Sequence, residues 1–282
     1  MRSSRPEELI RAMFGDHVRS IGVLGGGGWS EVRSVTLDHR PPVVVKITDP
    51  LIGGEERTGL RALRDTGTVR VPEEVDWQVL EGRGVLALEA IVPSGPPDWS
   101  DFATSLANLH LQATGPRCGF EIDNHLGATP QSNRWDEDWS RFNRVQRHGP
   151  LLEASGLEGP DRAVVLDAIA CFDEVLVGCR PALLHGDLWS GNVLPGEDGR
   201  MALIDPAPYH GDPLADIAMM QLFGGFPGAF FERYLDLTGF DPDPRRLACY
   251  KLYHALNHLV LFGGGYLPMV RTEARTVVAG ER

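Results

Sequence analysis

Short β-branched and apolar runs crowd the first third of the chain. Residues 20–37, SIGVLGGGGWSEVRSVTL, are two such runs bridged by four glycines, and residues 41–47, PPVVVKI, read as a short buried strand carrying one lysine. DWQVL (76–80) and GVLALEAI (84–91) are joined by EGRG, a hairpin signature. Between them, residues 54–67 space Leu60 and Leu63 as a helix does and stop at Gly67. The predicted order is strand, glycine loop, strand, strand, helix, strand, strand. VPSGPPDW (92–99) then interrupts the pattern with three prolines, as a hinge would.

From residue 99 the periodicity changes to helical. SDFATSLANLHLQATG puts Phe102, Leu106 and Leu109 on one face behind a Ser100 or Asp101 cap. Residues 160–178 read as one amphipathic helix, DIAMMQLFGGF and GAFFERYLDLTG follow, and residues 245–265 read as a long buried helix. Within this region one strand-like pairing is expected, residues 183–184 with 193–194 and 201–205. The pattern therefore predicts an α+β, bilobal architecture: a small β-sheet lobe over residues 1–91 and a larger, mainly helical lobe over 92–282.

Composition narrows the partners. In 282 residues, 42% are apolar and 23% charged, ordinary for a globular chain. The net charge of −12 argues against a nucleic-acid backbone or an anionic membrane surface as partner. No apolar run approaches the ~20 residues of a spanning helix, and MRSSRPEELIRAMFG lacks a signal-peptide core, so a cytoplasmic location is expected. Cys118, Cys171, Cys179 and Cys249 have no CxxC spacing and read as free thiols of a reducing compartment.

Candidate chemistry lies in three places. The loop LGGGGWSEV can bring backbone N–H groups onto phosphate oxygens, because no Cβ intervenes. It is not a Walker A loop, since no Gly-Lys-Ser/Thr follows, nor a dinucleotide fingerprint, since a strand comes next. Lys46, among valines, needs an anionic partner, either a phosphate or Glu56; a lysine snorkelling from an edge strand is the plainer reading. Glu55 competes with Glu56 for that role, and spacing to Gly59-Leu60 favours Glu56. In LLHGDLWSGNVL (183–194), Asp187 can orient a hydroxyl and take its proton, while Asn192, five residues on, can offer an amide oxygen to magnesium. Asp205, in ALIDP at the end of an apolar run, is the carboxylate such a metal would share.

These residues resemble the protein-kinase-like fold, and HGDLWSGNVL with LIDPA, LFGGFP and NHLVLFGGGYL resembles the fructosamine (ketosamine) 3-kinase family from about residue 15 to 270. The resemblance implies that Gly25, Gly26, Gly27, Gly28, Trp29 and Ser30 cover the ATP phosphates. It implies that Lys46 contacts the α- and β-phosphates, that Glu56 holds Lys46, and that Glu89, Ala90 and Ile91 meet adenine through their backbone. Asp187 would be the catalytic base, and Asn192 and Asp205 the magnesium ligands. His185 and Asp216 would be structural, the latter tethering the catalytic loop. Trp189 would pack against the sugar-amine, and Asp212 is open between a surface turn and a contact to the substrate amine. Residues 1–91 would be the nucleotide-binding lobe and 92–282 the catalytic and acceptor-binding lobe. The implied reaction is ATP- and magnesium-dependent phosphorylation of the 3-hydroxyl of a ketosamine, a free adduct or a glycated protein lysine, for deglycation repair.

Two departures stand out: Trp29 at the tip of the glycine loop, and YHGDPLAD after Asp205, which lacks an Arg-Glu pair before Asp216. The alternatives are an aminoglycoside-type or other small-molecule phosphotransferase of the same fold, and a pseudokinase without turnover. A regulated protein kinase fits worse. Gly186 stands where such enzymes carry Arg, and only ten residues separate Asp205 from Asp216. His254 and His258 have a zinc-compatible spacing, but no third ligand is evident, and a buried helix is the favoured reading. WDEDWSRFN (135–143) is either acceptor-side wall or helix packing.

Overall fold

The computed structural model describes residues 5–25, 30–93, 95–196 and 199–280. Contacts divide the chain into two compact units, Met1–Asp98 with Leu194–Asp205, and Trp99–Val193 with Pro206–Arg282.

In the first unit, helix α1 (Pro6–Phe14) precedes strands β1 (Val18–Val23), β2 (Glu31–Leu37) and β3 (Val43–Thr48). Helix α2 (Pro50–Asp65) and strands β4 (Glu74–Leu80) and β5 (Arg83–Glu89) follow. The strands form one antiparallel sheet in the order β1-β2-β3-β5-β4. Strand alternation sorts β3: Val43, Val45 and Ile47 join Leu9, Ile10 and Phe14 of α1 in one apolar cluster, which puts Lys46 on the opposite face. The β4–β5 turn has Glu81 at φ +50° and Gly82 at φ +76°, both left-handed as a tight hairpin demands. Asp49 caps α2 by accepting from the N–H of Leu51 at 2.8 Å, and Pro50 at its first position favours that start.

The second unit is mainly helical. It contains α3 (Trp99–Gln112), the short strands β6 (Asn124–Leu126) and β7 (Thr129–Gln131), and α4 (Trp139–Phe142), which runs into a π-helical turn over Asn143–His148. There follow α5 (Gly149–Ala154), α6 (Gly159–Ala170), α7 (Phe172–Val175) and β8 (Ala182–Leu184). The strands β9 (Val193–Pro195) and β10 (Met201–Leu203) pair with each other, and the segment after Val193 packs with the first unit. The chain then forms β11 (Tyr209–Gly211), α8 (Leu214–Phe223), α9 (Gly228–Thr238), the long α10 (Pro244–Phe262) and α11 (Leu267–Val278).

Two expectations are corrected, and one helix joins the expected elements. Strand 182–184 pairs with 209–211 rather than with 193–194, because the Asp187–Asn192 loop carries the chain away while the N–H of Ala207 returns to the His185 carbonyl at 2.9 Å. The helix expected over 160–178 breaks at Cys171, where Phe172 turns inward to pack on His148 with ring centroids 4.7 Å apart. Helix α1 is additional, built on a Pro at its start and an apolar face of Leu9, Ile10 and Phe14.

Two buried histidines make the second unit acid-sensitive. His148 is fully buried, and burial pushes its pKa down to about 4 against the opposing pull of the Cys249 and Asn143 carbonyls beside its ring nitrogens, only one of which the neutral ring can donate to. Burial and the neighbouring His258 push His254 down to about 3, with Asp216, His148 and Arg147 also acting on it. In the unfolded chain both titrate near 6.5. Stability is therefore full above pH 6.5 and falls as pH drops toward 4, where unfolding takes up protons that the folded protein refuses. Each residue contributes up to ~1.4 kcal/mol per pH unit in that window. Urea unfolding is expected to show ~2 kcal/mol or more lost between pH 6.5 and 4.5, an onset above the ordinary carboxylate range. Unchanged stability over that window would refute this.

Candidate active site

The first unit gathers one charged cluster. Lys46, on the α2 side of the sheet, donates to Glu56 Oε1 at 2.6 Å and also forms an ion pair with Asp205. Glu56 is the partner because it stands on the first turns of α2, which packs across β3 and β5. Burial would push the Lys46 amine down, but the two carboxylates outweigh it, so Lys46 stays cationic well above its ordinary pKa. Asp205 follows β10 at φ +56°, a left-handed conformation that Asp tolerates better than most side chains. Its strand is anchored by Leu203 N–H on the Arg70 carbonyl at 2.9 Å.

Around Glu89 the backbone is partly committed. Glu89 N–H donates to the Glu73 carbonyl at 2.8 Å and Ala90 N–H to that of Pro42 at 3.4 Å. The Glu89 carboxylate accepts from Arg70 at 3.0 Å and from Glu73 N–H at 3.2 Å, so its side chain belongs to the sheet edge. Ile91 follows, beyond β5. In the glycine loop, Gly25 and Ser30 are described, whereas Gly26, Gly27, Gly28 and Trp29 lie outside the described residues.

The second unit gathers the other cluster. Buried Asp216, in α8, accepts from the N–H of His185 at 2.8 Å and of Gly186 at 2.9 Å, and lies 3.3 Å from His110 Nε2. Burial would raise its carboxyl, but these donors, His110 first, hold it below the ordinary range, so it stays charged. The expected tether is thus in place. Gly186 sits at φ +82°, and a Cβ there would come within 2.0 Å of the Ala207 carbonyl oxygen, so no side chain fits at this step of the loop. Fully buried His185 receives the N–H of Asp187 on Nδ1 at 3.3 Å, a structural role as expected. Asp187 is half-buried, and buried Asn192 turns its amide nitrogen to the Asp187 carboxylate at 3.1 Å and to its carbonyl at 2.8 Å. Trp189 lies over Gly191, where a Cβ would be 2.3 Å from the indole, and keeps 41% of its surface exposed.

Asp212 is corrected. It is neither a surface turn nor open to an amine. Buried, it accepts from Tyr250 Oη at 2.5 Å, from Leu214 N–H at 3.0 Å and from Arg246, because it closes the start of α8 against α10. WDEDWSRFN divides: Trp139 is core, donating to Tyr250 Oη at 2.8 Å, while Trp135 is partly exposed under Arg117. Buried His254 belongs to the helix interior, although its Nδ1 has no hydrogen-bond partner, and among the described residues no group of three or more metal-ligating side chains assembles. The sequence pattern does not single out several buried polar residues, His110 and Arg147 among them. His110, bonded to Tyr234 at 2.7 Å and facing Asp216, was visible as a polar break in the apolar face of LANLHLQA. Arg147, buried against the rings of Phe142 and Tyr209, gave no sequence signal.

The fold defines the class. Its architecture matches choline kinase LicA from Streptococcus pneumoniae, with a TM-score of 0.67 at 18% identity over 97% of this chain and 99% of that one. It also matches an aminoglycoside phosphotransferase solved with AMP-PNP and hygromycin B, at 0.66 and 19% over 97% and 99%. This is the protein-kinase-like fold. Within it, the fructosamine kinase family model matches residues 14–279, and the chain belongs to that family. A "probable ketoamine kinase" of Synechocystis sp. is 40% identical over 75% of this chain and 73% of its own length. The chloroplastic protein-ribulosamine 3-kinase of Arabidopsis thaliana is 32% identical over 93% and 82%. A Thermobifida fusca protein assigned as a fructosamine-3-kinase superposes with a TM-score of 0.86 at 27% identity over 96% and 97%.

Proposed function

We propose that this protein is an ATP-dependent kinase that phosphorylates the 3-hydroxyl of ketosamines, the sugar adducts of amines or of protein lysines. The observation that carries the reading is the loop at Asp187. Its backbone is pinned to the buried carboxylate of Asp216, and Asn192 fixes the Asp187 carboxylate. Asp187 orients the acceptor hydroxyl and takes its proton as the new oxygen–phosphorus bond forms and the bond from the γ-phosphorus to ADP breaks. Lys46, held cationic by Glu56, neutralises the α- and β-phosphates. In the glycine loop Gly25 to Ser30 cover the phosphates. Adenine meets the chain at Glu89–Ile91 through carbonyls and Ile91 N–H, since the N–H groups of Glu89 and Ala90 already have partners.

Magnesium would be held by Asn192, whose amide nitrogen is turned toward Asp187, and by the carboxylate of Asp205, both offering oxygen donors of the kind a hard cation takes. When bound, the ion supplies charge neutralisation on the phosphates. The residues before about 92 form the nucleotide-binding part and the remainder the catalytic and acceptor-binding part, with the exposed face of Trp189 against the sugar-amine. The phosphorylated adduct then releases its amine, so the role is deglycation repair. Gly186 and the short stretch from Asp205 to Asp216 leave no room for a phosphorylation-switched peptide platform. No helix of the described residues is long and apolar enough to cross a membrane.

The test is a substrate panel: purified protein with magnesium-ATP, offered fructosyl-lysine, ribulosyl-lysine, a glycated protein, kanamycin and a serine peptide. Turnover of the ketosamines alone is expected. Turnover of kanamycin alone, or of nothing, would contradict the reading, the latter favouring a pseudokinase. In the same assay Lys46→Met is expected to lower kcat/KM by about 100-fold, the scale of losing one phosphate-side charge. A loss under threefold would remove Lys46 from the nucleotide site.

A further inference from the structure

Two carboxamides lie buried in the second unit with no part in the proposed chemistry. Gln131 and Asn124 pair across the β6–β7 hairpin, 2% and 4% exposed. Gln131 Nε2 donates to Asn124 Oδ1 at 2.8 Å and, at 3.4 Å, to the Ala207 carbonyl, while Asn124 Nδ2 donates to the Pro208 carbonyl at 2.9 Å. From α10, Tyr253 Oη donates to Gln131 Oε1 at 2.7 Å. Arg147, a buried cation that no step of the reaction uses, donates to the Ser132 carbonyl and to Asn133 Oδ1, and so holds the chain just beyond Gln131. Burial pushes the Tyr253 phenol up to about 12, with Arg147 pulling it down and the Asp187 charge adding to the rise, so the hydroxyl remains a donor at neutral pH.

What these groups hold is the Pro-Ala-Pro segment 206–208. Proline has no N–H, so only Ala207 brings a backbone donor, and it is spent on the His185 carbonyl at 2.9 Å. The Ala207 carbonyl oxygen lies against Gly186, where a Cβ would come within 2.0 Å of it. His185 and Gly186 thus rest on the Ala207 peptide, immediately before Asp187. An apolar pair would fill the hairpin equally well. What the carboxamides add is direction, because a buried amide needs its partners made, and those partners include the carbonyls of Ala207 and Pro208. Given the kinase function above, we propose that Gln131, braced by Tyr253, is a positioning residue for phosphoryl transfer. With Asn124 it fixes the Ala207 and Pro208 carbonyls and, through His185 and Gly186, the place of the Asp187 carboxylate. Loosening this support lets Asp187 turn away from the acceptor hydroxyl, which costs rate and leaves the affinity for ATP unchanged.

The test measures ketosamine phosphorylation by wild type, Gln131→Leu and Tyr253→Phe, each also combined with Asp187→Asn, at a temperature well below every variant's melting point. Gln131→Leu is expected to lower kcat about 10-fold and Tyr253→Phe about threefold, with the KM for ATP changed by less than about twofold. In the Asp187→Asn background either substitution is expected to change the remaining rate by less than about twofold, since Gln131 acts through that carboxylate. Tyr253→Phe removes one oxygen and leaves both carboxamides, so it carries the comparison if Gln131→Leu does not fold. Variants that melt lower yet keep full kcat, a change confined to the KM for ATP, or an equal loss of rate with and without the Asp187 carboxylate would overturn the proposal and leave the kinase function standing. No ketosamine turnover by the wild type would overturn that function and the proposal with it.

Discussion

Asp187→Asn is expected to lower kcat for a ketosamine by about 10³-fold while changing the KM for ATP by less than about threefold, the range set by removal of a general base. The substitution is nearly isosteric. Its Oδ can still accept from Asn192, and the tether to Asp216 runs through His185 and Gly186 rather than through the Asp187 side chain. What the amide lacks is the capacity to take a proton from the acceptor hydroxyl. Steady-state kinetics on the purified variant, with its melting temperature as a folding control, checks this. A variant within tenfold of wild type would mean that Asp187 only positions the hydroxyl.

Asp216→Ala is expected to destabilise the protein by about 3–5 kcal/mol, the scale of removing one partner from a buried charged network. The carboxylate is 1% exposed and accepts two backbone N–H groups of the loop, with His110 beside it. Truncation leaves both N–H groups in the interior with no acceptor, each costing on the order of 1–3 kcal/mol. Asp216→Asn keeps one acceptor and is expected to lose about half as much. Urea denaturation at pH 7 measures both, and a loss under about 1 kcal/mol for the alanine variant would show that the loop holds itself.

Much of the first unit is legible because strand periodicity is local. Val43, Val45 and Ile47 alternate with Lys46, so a lysine on the non-core face stands out in the residue pattern itself. Lys46 with Glu56 is also legible, since a strand and the helix after it pack together. The pairing of Lys46 with Asp205 spans 159 positions and depends on β10 anchoring to the backbone of Arg70, which no local pattern encodes. Strand β8 likewise takes β11 as partner through the return of Ala207 to His185, where pattern suggested nearer strands. Asp212 shows the converse failure: an Asp-Pro before a helix reads as exposed, but Arg246 and Tyr250, one turn apart on α10, make a buried anion stable there. Arg147 owes its burial to the π-helical turn that aims it between aromatic rings, a distortion invisible to helical periodicity.

The central claim is that Asp187 directs phosphoryl transfer onto the 3-oxygen of a ketosamine. Its most direct test is phosphorus NMR of the product made from magnesium-ATP and ribulosyl-lysine by wild type and by Asp187→Asn. The account predicts a single phosphate ester, coupled to the hydrogen on carbon 3, with the wild type and none with the variant over the same period. An ester at another carbon, or equal ester from both proteins, would contradict it.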